Sequence, residues 1–328
     1  MEKYNDIDVV ISSRIRFARN IADYPFMSKC DPTSAKEIIE KVRNALGDGF
    51  KEIDFLTLDE IKTGSFVEDH SVSRDFVKSK LPHSLFCDLD NKVKVMACEE
   101  DHVRLQVISK GFALDEAYRD ACKVDDLICN KLNVAYDDSL GYLTHCPTNL
   151  GCAMRASVMM FLPALTAEKK IKPLISQLSK LGLVIRGIYG EGSDALGCLY
   201  QISNQESLGV NEESILSNLN GIIGQIIELE RNSRNELYNR YQDKITDNVM
   251  RSMGIFKYSH MLDSAEFMRC YSDVRMGIAL NIIKDIDYDV IDCVFNQVMP
   301  YSLMNHYSKV MNEHERDLAR AKRIKELV

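Results

Sequence analysis

Several protein classes are excluded by what this sequence lacks. No apolar run approaches the roughly 20 residues that a helix needs to cross a bilayer, and we find no secretory signal. Only 16 glycines and 7 prolines occur in 328 residues, of which 45% are hydrophobic. This composition is typical of a folded globular chain rather than a disordered or fibrous one, and the length allows two domains.

A surplus of positive charge is also missing. Lysine and arginine number 41 against 49 acidic residues, so the formal net charge is −8. Nucleic-acid binding depends on cationic side chains that neutralise phosphates, so we expect no direct nucleic-acid partner. Cationic, arginine-rich partners suit an acidic protein better.

The ten cysteines are scattered, and no two of them form a Cys-x-x-Cys pair. We therefore expect reduced thiols in a cytoplasmic protein, most of them acting as small core residues. A structural zinc site is disfavoured for the same reason.

The two parts of the chain differ in their patterning. Alternating β-branched runs predict strands at Val9–Ser13, Val93–Cys98, Val103–Ile108, Leu183–Tyr189 and Cys198–Ser203. Helical periodicity predicts helices over residues 33–47, 112–132 and 153–162. From Asn211 the pattern is almost entirely helical, with further helices at about 263–284, 287–298 and 312–326. We expect an α+β domain over residues 1–233 and an all-helical C-terminal domain over residues 234–328.

The first polar stretch with chemical potential is Ser12-Ser13-Arg14-Ile15-Arg16. On a strand, Arg14 and Arg16 share one face about 7 Å apart, a spacing that suits the oxygens of a polyphosphate. A solvated basic face would show the same pattern, so this stretch decides nothing alone.

The second stretch is Glu99-Glu100-Asp101, which connects the strands of a predicted hairpin. Arg104 lies on the second of these strands, on the same face as His102. Acidic hairpin turns are common, so Glu100 has a structural explanation as well as a chemical one.

The third stretch runs from Thr144 through Cys146 and Gly151 to the predicted helix over residues 153–162. A helix N-terminus lowers the pKa of a nearby thiol, so Cys146 is a candidate reactive thiolate. Arg155 would then lie about one turn into that helix. A single cysteine before a proline is also often just buried.

The fourth stretch, Arg186–Gly197, is rich in glycine and predicts a mobile loop. It matches neither a Walker A loop nor a dinucleotide-binding fingerprint. Arg186 and Glu191 have opposite parity, so a flat strand would aim them to opposite faces. If both act in one site, the backbone must bulge or leave the strand near Gly187 or Gly190.

Together and in this order, the four stretches resemble the phosphagen kinases, over about residues 9–233. The most specific match is Cys146-Pro-Thr-Asn-Leu-Gly151 followed by Arg155-Ala-Ser157. The resemblance implies an antiparallel β-sheet flanked by helices, with ATP lying across the sheet. Cys152-Ala153 depart from the family pattern, close to where the phosphates should lie.

The resemblance also implies roles for individual residues. Five arginines would hold the phosphates, with Mg²⁺ bound mainly by phosphates and water. Glu100 and Glu191 would grip and deprotonate the acceptor guanidinium, with the Cys146 thiolate against it. The implied ATP-binding residues are Ser12, Ser13, Arg14, Ile15, Arg16, His70, Arg104, Arg155, Ala156, Ser157, Val158, Met159, Arg186, Gly187, Ile188, Tyr189, Gly190 and Glu191.

The C-terminal segment contains Arg316-Asp317-Leu-Ala-Arg320-Ala321, which resembles the phosphoarginine-binding motif of McsB-type kinases. On a helix Arg316 and Arg320 are neighbours, able to share a phosphoryl group, with Asp317 free to meet a guanidinium. A solvated terminal helix would explain the same charges. Phosphagen kinases that act on small molecules carry a helical domain before the first strand, whereas only 11 residues precede Ser12 here.

The McsB-type resemblance implies a protein arginine kinase acting in proteolysis and the stress response. Its expected partners are the activator McsA, the ClpC–ClpP protease and the repressor CtsR. The apolar faces of the C-terminal helices suggest a homodimer, although they would equally form that domain's own core. Two rival functions stay open: a free-arginine kinase, and a phosphoarginine-binding protease adaptor.

Overall fold

The structure, a computed structural model, describes residues 6–187 and 195–328. Its strands are β1 (Val10–Arg19), β2 (Phe50–Asp54), β3 (Ser84–Asp88), β4 (Val93–Ala97), β5 (Val103–Lys110), β6 (Tyr136–Asp137), β7 (Gly141–Tyr142), β8 (Met154–Phe161), β9 (Leu183–Gly187) and β10 (Leu199–Asn204). Eight of them form one sheet in the order β2-β3-β4-β5-β1-β8-β10-β9, in which every neighbouring pair is antiparallel, while β6 and β7 form a small hairpin. The expected antiparallel architecture is therefore confirmed.

Helices surround this sheet and then form the C-terminal region by themselves. Those between the strands are α1 (Pro32–Leu46), α2 (Glu60–Glu68), α3 (Arg74–Lys78), α4 (Leu114–Lys131), α5 (Pro163–Ala167) and α6 (Ile171–Lys180). Those after the sheet are α7 (Glu212–Tyr258), α8 (Ser264–Ala279), α9 (Tyr288–Gln297), α10 (Pro300–Tyr307) and α11 (Glu313–Leu327). None of the helices in the described ranges combines the length and apolarity of a membrane span.

The prediction of a helix over residues 153–162 is wrong, because this segment forms strand β8. It lies between β1 and β10 in the middle of the sheet, so most of its side chains on both faces are buried. A central strand covered on both faces reads as a nearly continuous apolar run, which periodicity does not distinguish from a buried helix. The predicted position of Cys146 beside a helix N-terminus depended on this incorrect helix.

Helix α7 joins the two hydrophobic cores. Its first half, including Leu219 and Ile223, packs with the sheet, α1, α4 and α6. Its second half, including Val249 and Phe256, packs with the C-terminal helices, and this second core also takes Phe161 from β8. Between the halves Tyr241 leaves helical geometry, with φ −135° and ψ 36°.

Ion pairs and hydrogen bonds, half-buried at Asp8 and buried at Arg275, fix the segment before β1 to the helices. The Asp8 carboxylate accepts hydrogen bonds from Arg231 at 2.6 Å and from Arg234 at 3.0 Å, both on α7. Arg275 on α8 is fully buried, donates to the Ile7 carbonyl at 2.7 Å and pairs with Asp292 on α9. The sheet and the helical region are thus joined by charge as well as by apolar packing.

Replacing Arg275 by methionine would leave Asp292, which is only 14% exposed, without its cation. We expect Arg275→Met to lower the free energy of unfolding by about 3–5 kcal/mol, as when one partner of a buried ion pair is removed. Urea denaturation followed by circular dichroism measures this change.

The matched control is Arg251→Met, because Arg251 is 73% exposed and its ion pair with Asp247 lies within one turn of α7. This variant should change the free energy of unfolding by less than about 0.5 kcal/mol. Equally small effects in both variants would contradict a structural role for Arg275.

Candidate active site

A cavity of about 950 Å³ opens on one face of the sheet. Its wall contains two neighbouring glutamates, Glu99 and Glu100, together with His145. The sheet contributes five arginines to the same cavity: Arg14, Arg16, Arg104, Arg155 and Arg186. The structure therefore brings together residues that are up to 172 positions apart in the sequence, from Arg14 to Arg186.

The arginines converge because they lie on a row of adjacent strands and share one face. Arg14 and Arg16 are alternate residues of β1, and Arg16 lies opposite Arg155 of β8. Arg104 is on β5, the other neighbour of β1, and Arg186 is on β9 opposite Gln201 of β10. Strands lie about 4.8 Å apart, so this row spreads guanidinium groups across a length that matches a polyphosphate chain.

Neutral side chains hold two of the guanidinium groups. Arg14 donates from Nη2 to Gln201 Oε1 at 2.9 Å and from Nε to Ser157 Oγ at 3.4 Å. Arg155 donates from Nη2 to Ser203 Oγ at 3.1 Å. These partners orient the arginines without neutralising them, so the positive charge stays available to a ligand.

The cavity is electropositive because the arginines outnumber their counter-ions. Among the described residues, the salt bridge of Arg104 with Glu99 is the only one that the five arginines make. Burial, then the charges of Arg104 and Arg155, lowers the pKa of Arg14 to about 10. Burial and neighbouring arginines also lower the pKa of Arg16 and Arg155, and their buried Nε atoms have no hydrogen-bond partner among the described residues. Such a cluster is complementary to a multiply charged anion.

The two glutamates differ in their surroundings. Both carboxylate oxygens of Glu99 lie 2.7 Å from Nη1 of Arg104, and the Ser73 hydroxyl donates to it at 2.6 Å. Although burial opposes it, these partners lower the pKa of Glu99. Glu100 lines the cavity, and no described residue donates a hydrogen bond to its carboxylate. Burial, then the charges of Asp101 and Glu99, raises the pKa of Glu100. Of the pair, Glu100 is therefore the one able to accept a proton.

Asp101 fixes the loop that carries Cys146. Its buried carboxylate accepts hydrogen bonds from Asn20 Nδ2 at 2.6 Å and from the His145 amide at 2.7 Å.

Cys146 precedes a three-residue 3₁₀ turn rather than an α-helix, so the predicted activation by a helix N-terminus is wrong. Its Sγ lies 3.0 Å from Thr148 Oγ1. Among the described residues, the cavity wall includes His145 but not Cys146.

A second cavity of about 600 Å³ adjoins the first, since Arg14 and Gln201 line both. The predicted residues Ser12, His70, Ser157 and Met159 line it as well. His70 has φ +60°, and its buried Nε2 atom has no partner in the described part of the chain. Burial, then Arg14 and Lys94, lowers the pKa of His70 to about 4, so its imidazole is neutral at physiological pH.

Some predicted site residues do not reach either cavity. Strand alternation sends the side chains of four of them into the core on the opposite face: Ser13, Ile15, Ala156 and Val158. Ser13 is occupied there, because its hydroxyl donates to the Gly111 carbonyl at 2.9 Å. Gly187 lines the first cavity beside Arg186. Ile188, Tyr189, Gly190 and Glu191 lie outside the described residues.

The C-terminal arginine motif lies on α11, but its side chains are not arranged as predicted. Arg320 is 1% exposed and donates to the carbonyls of Val298 at 3.1 Å and Leu262 at 2.7 Å. Asp317 is not free, since it accepts from Arg320 at 2.7 Å. Arg316 is half-buried and donates to the Met311 carbonyl at 3.1 Å. Ala321 is buried in the second core. Because an apolar stripe of α11 faces the core, only Arg316 of the two arginines remains near the surface.

Sequence reasoning missed three residues that shape the site. Glu99 holds Arg104, Asp101 holds the loop at His145, and Gln201 holds Arg14. The acidic run was visible, but the sequence does not reveal which carboxylate of a turn faces inward. Gln201 lies in a predicted strand, and its alternation with Tyr200 and Ile202, which face the core, was the available signal.

Comparison with known proteins accounts for nearly the whole chain. Residues 34–233 match the family model of the ATP:guanido phosphotransferase C-terminal catalytic domain, and residues 242–328 match that of the protein-arginine kinase McsB C-terminal domain. A protein-arginine kinase of Caldanaerobacter subterraneus subsp. tengcongensis is 43% identical over 324 residues, covering 96% of each chain. One of Clostridium acetobutylicum is 39% identical over 327 residues, covering 98% of this chain and 96% of the relative.

Solved phosphagen kinases share the fold. The duplicated taurocyamine kinase of Schistosoma mansoni, bound to components of a transition-state analogue, superposes with a TM-score of 0.62 at 26% identity. That match covers 68% of this chain and 33% of the other. A lombricine kinase gives 0.61 at 23% identity, covering 70% of this chain and 68% of the other. The chain therefore belongs to the ATP:guanido phosphotransferases and, within them, to the McsB-type protein-arginine kinases.

The arginine cluster generates a prediction about nucleotide binding. In Arg155→Met a central guanidinium is lost, and hydrogen bonds to charged groups contribute about 1.5–3 kcal/mol each. We expect ADP with magnesium to bind about 10- to 100-fold more weakly, as measured by isothermal titration calorimetry.

Arg43→Met is the control, because Arg43 forms an ion pair with Glu52 away from both cavities. Its affinity for ADP should equal that of the wild type. Unchanged affinity in Arg155→Met would show that the cluster does not hold the phosphates.

Proposed function

We propose that this protein transfers the γ-phosphoryl group of ATP to arginine side chains of other proteins. The observation that carries the proposal is a row of five under-neutralised arginines in the same cavity as a glutamate that has no hydrogen-bond donor among the described residues. The first feature suits a polyphosphate, and the second suits a group that must be deprotonated. The two kinds of group line one cavity.

The phosphates would lie along the arginine row, with the nucleoside in the second cavity against Ser12, His70 and Met159. Phosphoryl transfer needs alignment and neutralisation of charge on the transferred oxygens, and fixed guanidinium groups supply both. No group of three or more metal-binding side chains converges among the described residues. Mg²⁺ would therefore arrive with the nucleotide, held by its phosphates and water, and would supply charge neutralisation there.

Glu100 would orient the acceptor and remove its proton. A guanidinium has a pKa above about 12 and is not nucleophilic at neutral pH. A carboxylate that accepts hydrogen bonds from two of its N–H groups fixes the planar fork. It takes the proton as the N–P bond forms and the bond between the γ-phosphorus and the bridging oxygen of ADP breaks, with ADP as the leaving group. The raised pKa of Glu100 makes it a stronger base than an ordinary glutamate. Glu191 is proposed as the second carboxylate and Cys146 as a thiolate beside the guanidinium, both by family resemblance.

The choice between protein and free arginine rests on the relatives. The relatives at 37–43% identity carry the name protein-arginine kinase, and the helical region matches the McsB C-terminal domain. A free-arginine kinase is the alternative function. It would use the same phosphoryl-transfer chemistry, because the five arginines and Glu100 would serve either acceptor.

The deciding experiment supplies ATP with magnesium and offers an arginine-rich protein beside free arginine. We expect phosphoarginine on the protein, detected by mass spectrometry under conditions that preserve the acid-labile N–P bond. Glu100→Gln should reduce transfer by at least about 100-fold, within the range for loss of a general base, while ADP affinity is unchanged. Turnover of free arginine alone would contradict the proposal.

The pH dependence provides a further check on Glu100. The base acts when ionised, so kcat/KM should fall as pH drops through a pKa above the ordinary glutamate value of 4.5. ADP release in a coupled assay follows this limb without requiring the product to survive acid. An acid limb that persists unchanged in Glu100→Gln would assign it to another group.

We also propose that Arg316 contributes to a phosphoarginine-binding site on α11. It is the motif arginine near the surface, whereas Arg320 and Asp317 form a buried pair that holds the end of α9. Arg316→Ala should weaken binding of a phosphoarginine peptide by about 10-fold or more, measured by fluorescence anisotropy, as expected for a charge-assisted contact. Arg251→Ala should leave binding unchanged, and an equal affinity in the wild type and both variants would rule out this site.

A phosphoarginine site would also allow a role as a protease adaptor. By resemblance to McsB-type kinases, the partners would be ClpC with ClpP, the repressor CtsR and the activator McsA, in a cytoplasmic homodimer. The kinase and adaptor roles can be distinguished experimentally. Glu100→Gln should reduce phosphoryl transfer, whereas Arg316→Ala should weaken only the binding of phosphoarginine.

A further inference from the structure

The second cavity has two walls that come from different parts of the chain. One is the sheet, with Ser12, Ser157 and Met159. The other is the helical region, with residues of α8 and α9: Tyr271, Asp289, Asp292, Cys293, Asn296 and Gln297. These helical residues lie outside the matched catalytic-domain model, which ends at residue 233.

Most of the helical wall is fixed by its own hydrogen bonds. Asp292 pairs with the buried Arg275 and accepts from the Tyr271 hydroxyl at 3.1 Å. Gln297 accepts from Arg323 Nε at 3.0 Å and donates to Cys293 Sγ at 2.9 Å. The wall is therefore set before any ligand binds, so ordering these side chains would cost a ligand little binding energy.

An ion pair connects the two walls at the edge of the cavity. Lys110, at the end of β5, forms a salt bridge with Asp289 on α9. Further contacts between the sheet and the helices lie at Phe161 and Leu199, in the second hydrophobic core. The two walls are thus held at a fixed separation on either side of the cavity.

Asn296 is the exception within the helical wall. It is an exposed residue near the C-terminal end of α9 that lines the cavity, and its side-chain amide makes no hydrogen bond with the described residues. A carboxamide both donates and accepts, and in this way asparagine recognises the N6 and N7 edge of adenine. Apolar side chains of the cavity, among them Ile108, Met159 and Leu199, can contact the faces of a planar base.

Charge sets the direction in which a nucleotide would lie. The first cavity concentrates guanidinium groups, whereas the helical wall of the second carries the carboxylates of Asp289 and Asp292. Phosphates are attracted to the guanidinium groups of the first cavity, whereas Asp289 and Asp292 are already paired with Lys110 and Arg275 and leave the helical wall nearly neutral. Hydroxyl groups of a ribose can donate to carboxylates, so the nucleoside end suits the helical wall.

We propose that the helical region completes the nucleotide site, with α9 as the second wall of the base pocket and the Asn296 amide as the group that recognises adenine. This inference rests on the proposed placement of ATP over the sheet. It assigns the C-terminal region a direct part in nucleotide binding, in addition to any role of its arginine motif. ATP would then contact both regions of the chain at once.

The test compares Asn296→Ala with Asn305→Ala, which removes an exposed amide from α10 that lines a different cavity near β2. The affinity for ADP with magnesium is measured by calorimetry, and kcat and KM are measured for ATP and GTP. We expect Asn296→Ala to weaken ADP binding and raise KM for ATP by about 3- to 10-fold, the loss of one or two neutral hydrogen bonds. The value of kcat should stay within about twofold, because the phosphates remain where they were.

Base selectivity distinguishes recognition from general weakening. The ratio of kcat/KM for ATP over GTP should fall in Asn296→Ala by the same factor, while Asn305→Ala matches the wild type in every measurement. A merely structural role for Asn296 would lower the affinities for ADP and GDP equally. That result, or unchanged affinity in Asn296→Ala, would overturn the inference.

Failure of the proposed function has a different signature. ADP is the binding probe, so the contribution of Asn296 is measured even in an assay without phosphoryl transfer. Selective ADP binding that depends on Asn296, without phosphoarginine on any protein, would contradict the proposed function and support the inference. Phosphoarginine formation, together with equal nucleotide affinity in Asn296→Ala and Asn305→Ala, would support the proposed function and contradict the inference.

Discussion

The constraint on which the site depends is the repulsion among five arginines held on one face of a sheet. Burial and neighbouring like charges both lower the pKa of an arginine, as at Arg14, and such a cluster opposes folding unless rigid structure holds it. Five adjacent antiparallel strands supply that rigidity, because their hydrogen-bond ladders fix each guanidinium relative to the next. Within the described part of the chain, partial relief comes from Glu99 alone, so the remaining charge is balanced when an anionic ligand binds. A site of this kind stores unfavourable electrostatic energy that phosphate binding releases.

The same logic explains why two adjacent glutamates serve different purposes. Glu99 is nearly buried against Arg104, so its negative charge neutralises and orients that arginine. Glu100, one residue further along the turn, is partly desolvated and lies among like charges from Asp101 and Glu99, which favour its protonated form. Environment rather than residue type therefore separates an orienting carboxylate from a basic one. The hydrogen bonds that Asp101 accepts from Asn20 and from the His145 amide hold this turn in place.

How far the sequence predicts this site depends on the kind of signal involved. The shared face of Arg14 and Arg16 was predictable, because strand alternation is a local rule. Local rules failed at β8, where burial on both faces removed the alternation, and the error carried over to Cys146. They also failed at Arg320, since helical spacing places it beside Arg316 but does not show that the core lies there. The partner of Gln201, Arg14, lies on a strand distant in sequence, so no pattern within one segment indicated it. Glu99 pairs with Arg104 only five residues away, but the sequence does not show which carboxylate of the turn faces inward.

The two cavities finally relate the helical region to the chemistry. A cleft between a rigid sheet and a helical layer is a common place for a ligand, because each layer contributes a different surface. Here the sheet contributes under-neutralised arginines and the helices contribute amides and carboxylates that are already paired, so positive charge is concentrated at one end of the cleft. Arg320 and Arg323 of α11 hydrogen-bond to the end of α9, which forms part of that cleft. Helix α11 therefore helps to fix the helical wall of the second cavity, because these hydrogen bonds join it to α9.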